Sequence, residues 1–445
     1  MAAAERDPYP GTSSLIWNVV RGERDRRSMK RNNGVLNSSR VLDLTNERGF
    51  LCGKILADLG ADVIKIEKPG GEKARDIGPY CDEIRDPEKS LNWFAYNLNK
   101  RGITLDIETE AGCLIFKRLV ASADFVIESY DNGYLDQLGL NYPELGKINP
   151  RLIMTSITPF GQTGPYKDYK ASDIEIMAMG GLMYITGNPD QYPLRISLPQ
   201  AFLLAAAHGA AASMIAYYYR ETSGEGQHVD VSAQECVLWE IANAMPLWEL
   251  NNNILHRAGS FIAGRWTGTK QRLLWKCRDG YVLFYILGGS FGVKTNRAIV
   301  HWMEEMNIAP GFMQEFDWSA FDMATQTQEM QDMIEAQIEK LFTRYTKEEL
   351  YCEAMKRGIM LCPVNNGHDI YESGQLRARD FWVDLPHSEL CRIIKYPGAF
   401  AKMSETPVEI RIRAPMIGEH NKEIFQNELG YSEAELAELK RSGVI

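Results

Sequence analysis

The sequence has no paired or clustered cysteines. Its eight cysteines form no C-x-x-C pair, and no Cys/His cluster has the spacing of zinc ligands. They stand at positions 52, 81, 113, 236, 277, 352, 362 and 391. Such a scatter is typical of reduced thiols, so we expect a cytoplasmic protein with no bound metal.

The sequence also lacks an excess of positive charge and an apolar leader. Lys and Arg number 49 against 59 Asp and Glu, a net charge of −10, which offers no support for nucleic-acid binding. The one basic cluster, residues 21–31, is interrupted by Glu23 and Asp25 and is predicted to be a solvated segment. Residues 1–14 contain no apolar core, so no secretory signal is predicted.

Long apolar runs are absent except for one, residues 201–219, which contain no Asp, Glu, Lys or Arg. Nineteen residues come close to the length that a bilayer needs. However, alanine dominates the run, and His208 and Gly209 lie inside it. We therefore predict a helix buried in a protein core, with no membrane association.

From residue 40, short apolar strands alternate with helical patterns. The predicted strands are RVLDLT, DVIKIEK, GITLDI, DFVIES and RLIMTSI. This alternation predicts an α/β fold with a Rossmann-like parallel sheet. Neither G-x-G-x-x-G nor the P-loop pattern occurs, so a bound nucleotide would not use those phosphate loops. Residues 1–39 look irregular and are predicted to be an N-terminal extension.

Residues after 235 have a different character. They are richer in Trp, Met and amphipathic helical patterns, with one strand pair around LLWKCRDGYVLFYIL. The residues Arg278, Asp279 and Gly280 in its middle predict a hairpin turn. This composition predicts a smaller α+β domain.

Two places could carry chemistry. Residues 288–292 match G-x-S-x-G between a strand and a helix, which is typical of a hydrolase nucleophile at Ser290 or of a glycine-rich turn. Asp173 opens an apolar segment, where it could act as nucleophile or general base. Equally, Ser172 or Asp173 could be a helix N-cap.

Several motifs in order carry a family resemblance. They are VLDLTNERGFLCGKILADLGADVIKIEKPGG, NLNKRGITLDI, FVIESYDNGYLDQLGL, NPRLIMTSITPFGQTGPY, GEGQHVDVS and RAPMIGEH. Residues 40–445 thereby resemble the class III CoA-transferases, a family that includes formyl-CoA, carnitine-CoA and benzylsuccinate CoA-transferases and related acyl-CoA racemases. The resemblance implies a large Rossmann-like CoA-binding domain from residues 40–235 and 355–445, a small domain from 236–354, and an interlocked dimer.

The resemblance also implies a nucleophilic aspartate, and this chain lacks it. The family carries the Asp three residues after a Pro at the start of the central helix, whereas Pro199 is followed three residues on by Phe202. The racemases need a His before the same Asp, and here that place holds Ser172. Phenylalanine can neither attack a carbonyl nor take a proton.

Three interpretations remain open. The chain could be one subunit of a heteromer whose homologous partner keeps the Asp, as in the benzylsuccinate branch, which NERGFLCGKILADLG and SITPFGQTGPYKDYKASDI resemble. In that branch CoA moves from succinyl-CoA to a substituted succinate. Alternatively, Asp173 could act in a rerouted site. The third interpretation is a CoA-binding regulator without turnover.

The family's CoA contacts can be carried over by position. The matching residues of this chain are Glu47, Arg48, Lys68, Leu105, Ser129, Tyr130, Gln137, Leu138 and Lys170. Gln137 and Glu108 replace an Arg and a Lys of the family, which predicts weaker CoA binding by this chain. The loop GRWTGTKQ, Gly264–Gln271, occupies the place of a glycine loop and is predicted to close over the partner's site.

Overall fold

The structure is a computed structural model that describes residues 33–263, 268–322 and 325–445. Most of the predicted extension 1–39 therefore lies outside the described residues. The strands are β1 Arg40–Leu44, β2 Asp62–Glu67, β3 Lys100–Thr104, β4 Phe125–Glu128, β5 Ile153–Thr158, β6 Gln227–Ser232, β7 Phe261–Ala263, β8 Lys270–Arg272, β9 Leu274–Cys277, β10 Gly280–Phe284, β11 Leu361–Pro363, β12 Trp382–His387 and β13 Arg392–Pro397.

The helices follow the same chain order. They are α1 Phe50–Asp58, α2 Leu91–Tyr96, α3 Glu110–Val120, α4 Tyr134–Gln137, α5 Tyr142–Ile148, α6 Asp173–Met179, α7 Ala201–Ser223, α8 Ala233–Trp239, α9 Ala244–Asn251, α10 Gly289–Glu305, α11 Gln328–Phe342, α12 Lys347–Arg357, α13 Gly367–Tyr371, α14 Gly374–Ala378 and α15 Glu433–Arg441. A π-helical segment, Lys422–Glu428, precedes α15.

Six strands form one parallel sheet in the order β3-β2-β1-β4-β5-β6. Strands β1 to β5 are buried on both faces, as expected when helices cover a parallel sheet. This order is that of the Rossmann fold, and the prediction of an α/β fold with a parallel sheet is confirmed. Strands β2 and β3 extend the sheet on one side of β1. The chain then crosses back, and β4, β5 and β6 extend the sheet on the other side.

The chain divides into two compact units. The larger contains residues 33–181, 196–242 and 378–445, and the smaller contains 182–195 and 243–377. The smaller unit has its own core around Trp275, Phe284 and Phe342 and its own antiparallel sheet β9-β10-β11. The predicted hairpin at 278–280 is present, because Cys277 pairs with Gly280.

The observed bounds of the smaller unit differ from the predicted small domain, 236–354. The C-terminal bound lies later because β11 pairs antiparallel with β10, which keeps residues past 354 in the small unit. The N-terminal bound also lies later, because α8 packs against α7 in the larger unit. The interlocked dimer stays a prediction.

Within the larger unit, the C-terminal segment packs against the sheet edge through a buried arginine. The Arg101 guanidinium lies 2.7 Å from Asp62, 2.7 Å from Glu423 and 2.6 Å from Glu428. Glu428 also pairs with Arg40 at 2.8 Å. Although burial disfavours its charge, these carboxylates raise the pKa of Arg101. The contacts tie residues 422–428 to β1, β2 and β3.

The apolar run forms α7, which is buried along one face. Small residues such as Ala205 and Gly209 face β5 and α1, and Thr155 bonds Ser213 at 2.7 Å. By length and composition α7 is apolar enough to cross a membrane. The opposite face is exposed, with Ile215 and Tyr218 at 71% and 75%. The helix is thus a core helix on one side and an uncovered apolar surface on the other.

Candidate functional site

The carboxyl ends of β1 and β4 meet at the point where the sheet order reverses. In open α/β sheets, ligands bind in the crevice outside the strands at such a point. Residues after the two strands are joined here: the Asn46 amide donates to Ser129 Oγ at 2.9 Å, and Ser129 Oγ donates to Asn46 Oδ1 at 2.9 Å. The Arg48 N–H donates to the same Asn46 side chain. These bonds fix the turn that carries the predicted contacts Glu47 and Arg48.

A buried charge cluster supports this turn from inside. The carboxylate of Asp43 accepts hydrogen bonds from the Thr45 N–H at 2.9 Å and from Lys100 Nζ at 2.8 Å. Lys65 Nζ donates to the Asp43 carbonyl at 3.2 Å. Burial raises the pKa of Asp43, but the two ammonium groups outweigh it and lower the pKa below its usual value. Burial lowers the pKa of Lys100 to about 8.

Arg48, Phe202 and Asp173 converge at the first turn of α7. The Arg48 guanidinium carbon lies 5.5 Å from the centre of the Phe202 ring. Phe202 is 7% exposed, so its ring is buried at this turn. The Asp173 carboxylate accepts a hydrogen bond from the Ala201 N–H at 2.7 Å, which suits an acid at a helix N-terminus.

Asp173 therefore caps α7 rather than its own helix. Ser172 is the N-cap of α6, and its N–H donates to Glu175 at 2.9 Å. The prediction of a cap in this segment is right for Ser172, whereas Asp173 is the first residue of α6. The Asp173 carboxylate thus contacts Ala201, the residue next to Phe202, and accepts a hydrogen bond from its backbone N–H.

An exposed acid joins two of the predicted contacts. Arg48 Nη1 lies 3.2 Å from the Asp131 carboxylate, and Lys170 Nζ lies 3.7 Å from its other oxygen. The Lys170 side chain is 84% exposed and the Asp131 side chain 54%. Because exposed pairs are weak, Lys170 can turn to an incoming anion, whereas the Arg48 side chain is 19% exposed.

The predicted phosphate contact Lys68 already has an acidic partner. Lys68 Nζ lies 2.8 Å from Glu108, which also accepts the Tyr134 hydroxyl at 2.7 Å. The ring of Tyr134 lies 4.4 Å from that of Tyr130. Hydrogen bonds from Lys68 and Tyr134 lower the pKa of Glu108. Glu108 therefore offsets the positive charge of Lys68.

The remaining predicted CoA contacts lie in segments that follow the carboxyl ends of the strands. Glu47 and Gln137 are exposed, while Leu138 is half-buried against the core. Leu105 is 1% exposed and packs in the core under β3, so its side chain is covered. The structure thus brings Arg48 and Lys170 together at Asp131, and Lys68 and Tyr130 together through Glu108 and Tyr134, while the Leu105 side chain is covered.

Sequence reasoning missed a buried acid beside these residues. Glu128, 3% exposed, accepts the Tyr130 N–H at 2.7 Å and bonds the Ser156 hydroxyl. Ser156 Oγ in turn lies 2.9 Å from His228 Nε2. Burial raises the pKa of Glu128 to about 7. The available signal was a single charge at the end of the apolar run FVIE.

The G-x-S-x-G segment forms a strand-to-helix turn. Ser290 is exposed in the first turn of α10, and no described histidine hydrogen bonds to it. His301, in the same helix, pairs with Glu305 at 3.0 Å. In the predicted covering loop, Gly264–Thr267 lie outside the described residues, and Gln271 is buried, donating to the Ile286 carbonyl. Among the described residues no group of three His, Cys, Asp or Glu could hold a metal ion.

Comparison with known proteins defines the class. Residues 36–421 match the model of CoA-transferase family III, and the chain belongs to that family. It is thus a class III CoA-transferase chain, and the reaction of its class exchanges CoA between an acyl-CoA and an acid. The resemblance read from the motifs is confirmed.

Particular relatives are similar along nearly the whole chain. Succinyl-CoA:(R)-benzylsuccinate CoA-transferase subunit BbsE of Thauera aromatica is 36% identical over 91% of this chain and 97% of its own length. Succinyl-CoA–D-citramalate CoA-transferase of Chloroflexus aurantiacus is 31% identical over 92% and 98%. A CAIB/BAIF family protein from Brucella suis has a similar structure, with TM-score 0.77 and 28% identity over 89% of this chain and all of that one.

Proposed function

We propose that this chain is the non-nucleophilic subunit of a heteromeric class III CoA-transferase. It would act with a homologous subunit that keeps the catalytic Asp and moves CoA from succinyl-CoA to benzylsuccinate or another substituted succinate. One observation carries the proposal: Phe202, with its ring packed against Arg48, stands at the start of α7 where the family has its Asp.

The chemistry explains why that position decides the matter. In the family an Asp carboxylate attacks the donor thioester and forms a mixed anhydride, and the released CoA returns to give an aspartyl thioester. The acceptor acid then reverses these steps. A phenyl ring offers no lone pair for either attack. Asp173, the nearest acid on α6, is held by the Ala201 N–H, which supports a structural role.

The exposed apolar face of α7 and α8 supports the proposal that a partner chain binds this chain. Ile215, Tyr218, Tyr219 and Trp239 are 71%, 75%, 50% and 71% exposed in the larger unit. Single exposed apolar side chains are ordinary, but several large ones on consecutive helices are typical of a protein interface. A homologous chain is the occupant that the family's interlocked dimer implies.

The donor and acceptor follow from relatives rather than from the pocket. The names of both curated relatives contain succinyl-CoA as donor, and their acceptors are benzylsuccinate and citramalate. Both acceptors are substituted succinates. Transfer in the cytoplasm, away from nucleic acid and membrane, is part of the same proposal.

CoA binding by this chain itself is proposed to be weak. Arg48, Ser129, Tyr130 and Lys170 line the sheet edge where the family holds CoA, but Glu108 neutralises Lys68. We therefore assign tight binding and turnover to the partner's site.

The test is reconstitution of transfer. The chain is co-expressed with a family member from the same source that has Asp at the position of Phe202, and the pair is purified through a tag on this chain. Succinyl-CoA and benzylsuccinate are supplied, and benzylsuccinyl-CoA is measured by chromatography. Transfer that requires both chains supports the proposal. Equal transfer by the Asp-bearing chain without this one would contradict it.

Two variants, one in each chain, test whether transfer depends on the partner's Asp or on Phe202 of this chain. Changing the partner's Asp to Asn should abolish transfer, whereas Phe202→Leu in this chain should leave it within about twofold, because a conservative apolar exchange costs little. Loss of transfer with Phe202→Leu in a complex that still assembles would indicate that Phe202 itself contacts substrate.

A further inference from the structure

The last residue of β4, Glu128, places a carboxyl group in an otherwise apolar strand. Glu128 is 3% exposed and lies in register between Leu44 of β1 and Ser156 of β5. Burying an ionised carboxyl is costly unless it is paired or hydrogen-bonded. No lysine or arginine of the described ranges forms an ion pair with Glu128, so its hydrogen bonds are what opposes the cost of burial.

Glu128 closes the turn that carries two predicted CoA contacts. Its carboxylate accepts the Tyr130 N–H at 2.7 Å, two residues along the chain. The residue between them, Ser129, exchanges hydrogen bonds with Asn46 across the crevice. The conformation of this turn therefore depends on how well Glu128 accepts a hydrogen bond.

A chain of hydrogen bonds leads from Glu128 to the edge of the sheet. Ser156 stands beside Glu128 in the register of β4 and β5, where its hydroxyl stabilises the carboxylate, and Ser156 Oγ lies 2.9 Å from His228 Nε2. His228 lies on the edge strand β6, is exposed, and stacks its ring on Tyr142 at 5.8 Å. A buried acid is thus connected to solvent through one hydroxyl and one imidazole.

The Ser156 hydroxyl has a single proton, so it donates a hydrogen bond to one neighbour and accepts one from the other. The hydrogen bonds between Glu128, Ser156 and His228 therefore all point the same way. When Glu128 is ionised, Ser156 donates to it and accepts from His228 Nε2–H. When a proton enters at His228 Nδ1, the Nε2 proton passes to Ser156 Oγ and the Ser156 proton passes to Glu128. The result is a neutral Glu128, a neutral His228 with its proton on Nδ1, and one proton taken from solvent.

The charges around Glu128 make this proton uptake possible near neutrality. Burial, helped by Asp230 on β6 and Asp136 on α4, raises the pKa of Glu128 to about 7, although hydrogen bonds from Ser156 and the Tyr130 N–H oppose the rise. Asp43 of β1 stands beside Ile127 and so points to the other face of the sheet.

The imidazole and the nearby helix complete this environment. Although the residue is exposed, partial desolvation of its imidazole, which stacks on Tyr142, lowers the pKa of His228 against the opposing effect of Asp230 and Asp136, so the ring is neutral near pH 7. On α5, Glu144 and Lys147 pair with each other at 2.6 Å in exposed positions. Asp230 and Asp136 are therefore the neighbouring charges that act on Glu128.

We propose that Glu128 is a proton-linked positioning residue of the CoA crevice, which orders the Ser129–Tyr130 turn when ionised and loosens it when it takes a proton through Ser156 and His228. This rests on the proposed function for its CoA crevice. A charge-assisted hydrogen bond is about twice as strong as a neutral one. We therefore expect CoA affinity to fall by about fivefold when Glu128 is protonated.

The experiment follows the turn and the ligand separately. The full chain is labelled with [15N]tyrosine, the Tyr130 amide is assigned with Tyr130→Phe, and its shift is followed from pH 5 to pH 9. CoA affinity is measured by calorimetry over the same range. Glu128→Gln keeps the shape and removes the titration. Glu144→Gln, an exposed glutamate, is the matched control.

The proposal predicts that the Tyr130 amide titrates in the wild type and in Glu144→Gln but stays flat in Glu128→Gln. The affinity of the wild type relative to Glu128→Gln should fall about fivefold between pH 8.5 and pH 5.5. Using this ratio cancels titration of the CoA phosphate. Ser156→Ala should move the Tyr130 midpoint to higher pH, because the Ser156 bond lowers the pKa of Glu128.

Two results would overturn the proposal: a Tyr130 amide that does not titrate, or a titrating amide with no difference in affinity between wild type and Glu128→Gln. If the amide titrates but no variant binds CoA at any pH, the proposed CoA crevice is wrong, and Glu128 acts on the turn alone. The two failures are thereby told apart.

Discussion

Glu128 should make the stability of the large unit depend on pH. Its pKa rises from an ordinary 4.5 to about 7 in the folded chain because the carboxyl is buried. A raised folded pKa means that the folded chain binds the proton more tightly than the unfolded chain. The penalty is absent below about pH 4.5, grows as pH rises, and is complete above about pH 7.

The size of the effect follows from the two pKa values. One pKa unit corresponds to about 1.4 kcal/mol, so ionised Glu128 costs about 3 kcal/mol of unfolding free energy above pH 7. Glu128→Gln removes this cost, because an amide can accept the Tyr130 N–H and donate to Ser156. The variant should match the wild type at pH 4.5 and be up to about 3 kcal/mol more stable at pH 8.5.

Urea unfolding at the two pH values measures this difference. Glu144→Gln, which changes an exposed acid, should follow the wild type at both. A Glu128→Gln variant that is less stable than the wild type at pH 8.5 would refute the reasoning. That result would mean that hydrogen bonds overcompensate burial and hold the pKa of Glu128 below its ordinary value.

Three further changes test other contacts. Arg101→Met leaves three carboxylates at the sheet edge without their shared partner and should lower the unfolding free energy by about 3 kcal/mol in urea. Asp173→Ala removes the acceptor for the Ala201 N–H and should cost about 1 kcal/mol, seen as a lower melting temperature. Glu108→Gln frees Lys68 and should tighten CoA binding severalfold at low salt, measured by calorimetry, with less gain at 0.5 M salt because ions screen the exchanged charge.

Each change has its own control. Lys147→Met, which breaks an exposed pair, should leave stability unchanged, and an equal loss there would remove the distinction drawn for Arg101. Asp173→Asn keeps an acceptor oxygen and should recover part of the loss; no recovery would argue against capping. If Glu108→Gln weakened CoA binding, Glu108 would be a ligand contact and not a competitor for Lys68.

The fold was predictable where local pattern decides it. Buried strands such as RVLDL and FVIE are short apolar runs between helical patterns, and their alternation is enough to predict a parallel sheet. The last helix follows from Ser432 and Glu435, whose reciprocal hydrogen bonds cap α15. The bounds of the small unit were not predictable, because β11 joins it by pairing with a distant strand.

The contacts around the predicted site residues could not be read from the sequence. The proposal that this chain lacks the nucleophile rests on the sequence at Phe202, because an aromatic residue there cannot supply the carboxylate. The contacts of Arg48 with the Phe202 ring and of Lys68 with Glu108 join residues far apart in sequence. Glu128 was overlooked because one acid after an apolar run has no periodic signal, and only the fold brings it to Ser156.

The central claim is that this chain carries no acyl group by itself, and a trapping measurement tests it most directly. The chain alone is incubated with succinyl-CoA and quenched with hydroxylamine, and modified peptides are mapped by mass spectrometry. We predict no hydroxamate in the wild type and a hydroxamate at position 202 in the Phe202→Asp variant, which restores the family's nucleophile. A hydroxamate at Asp173 or an acylated Ser290 in the wild type would contradict the account.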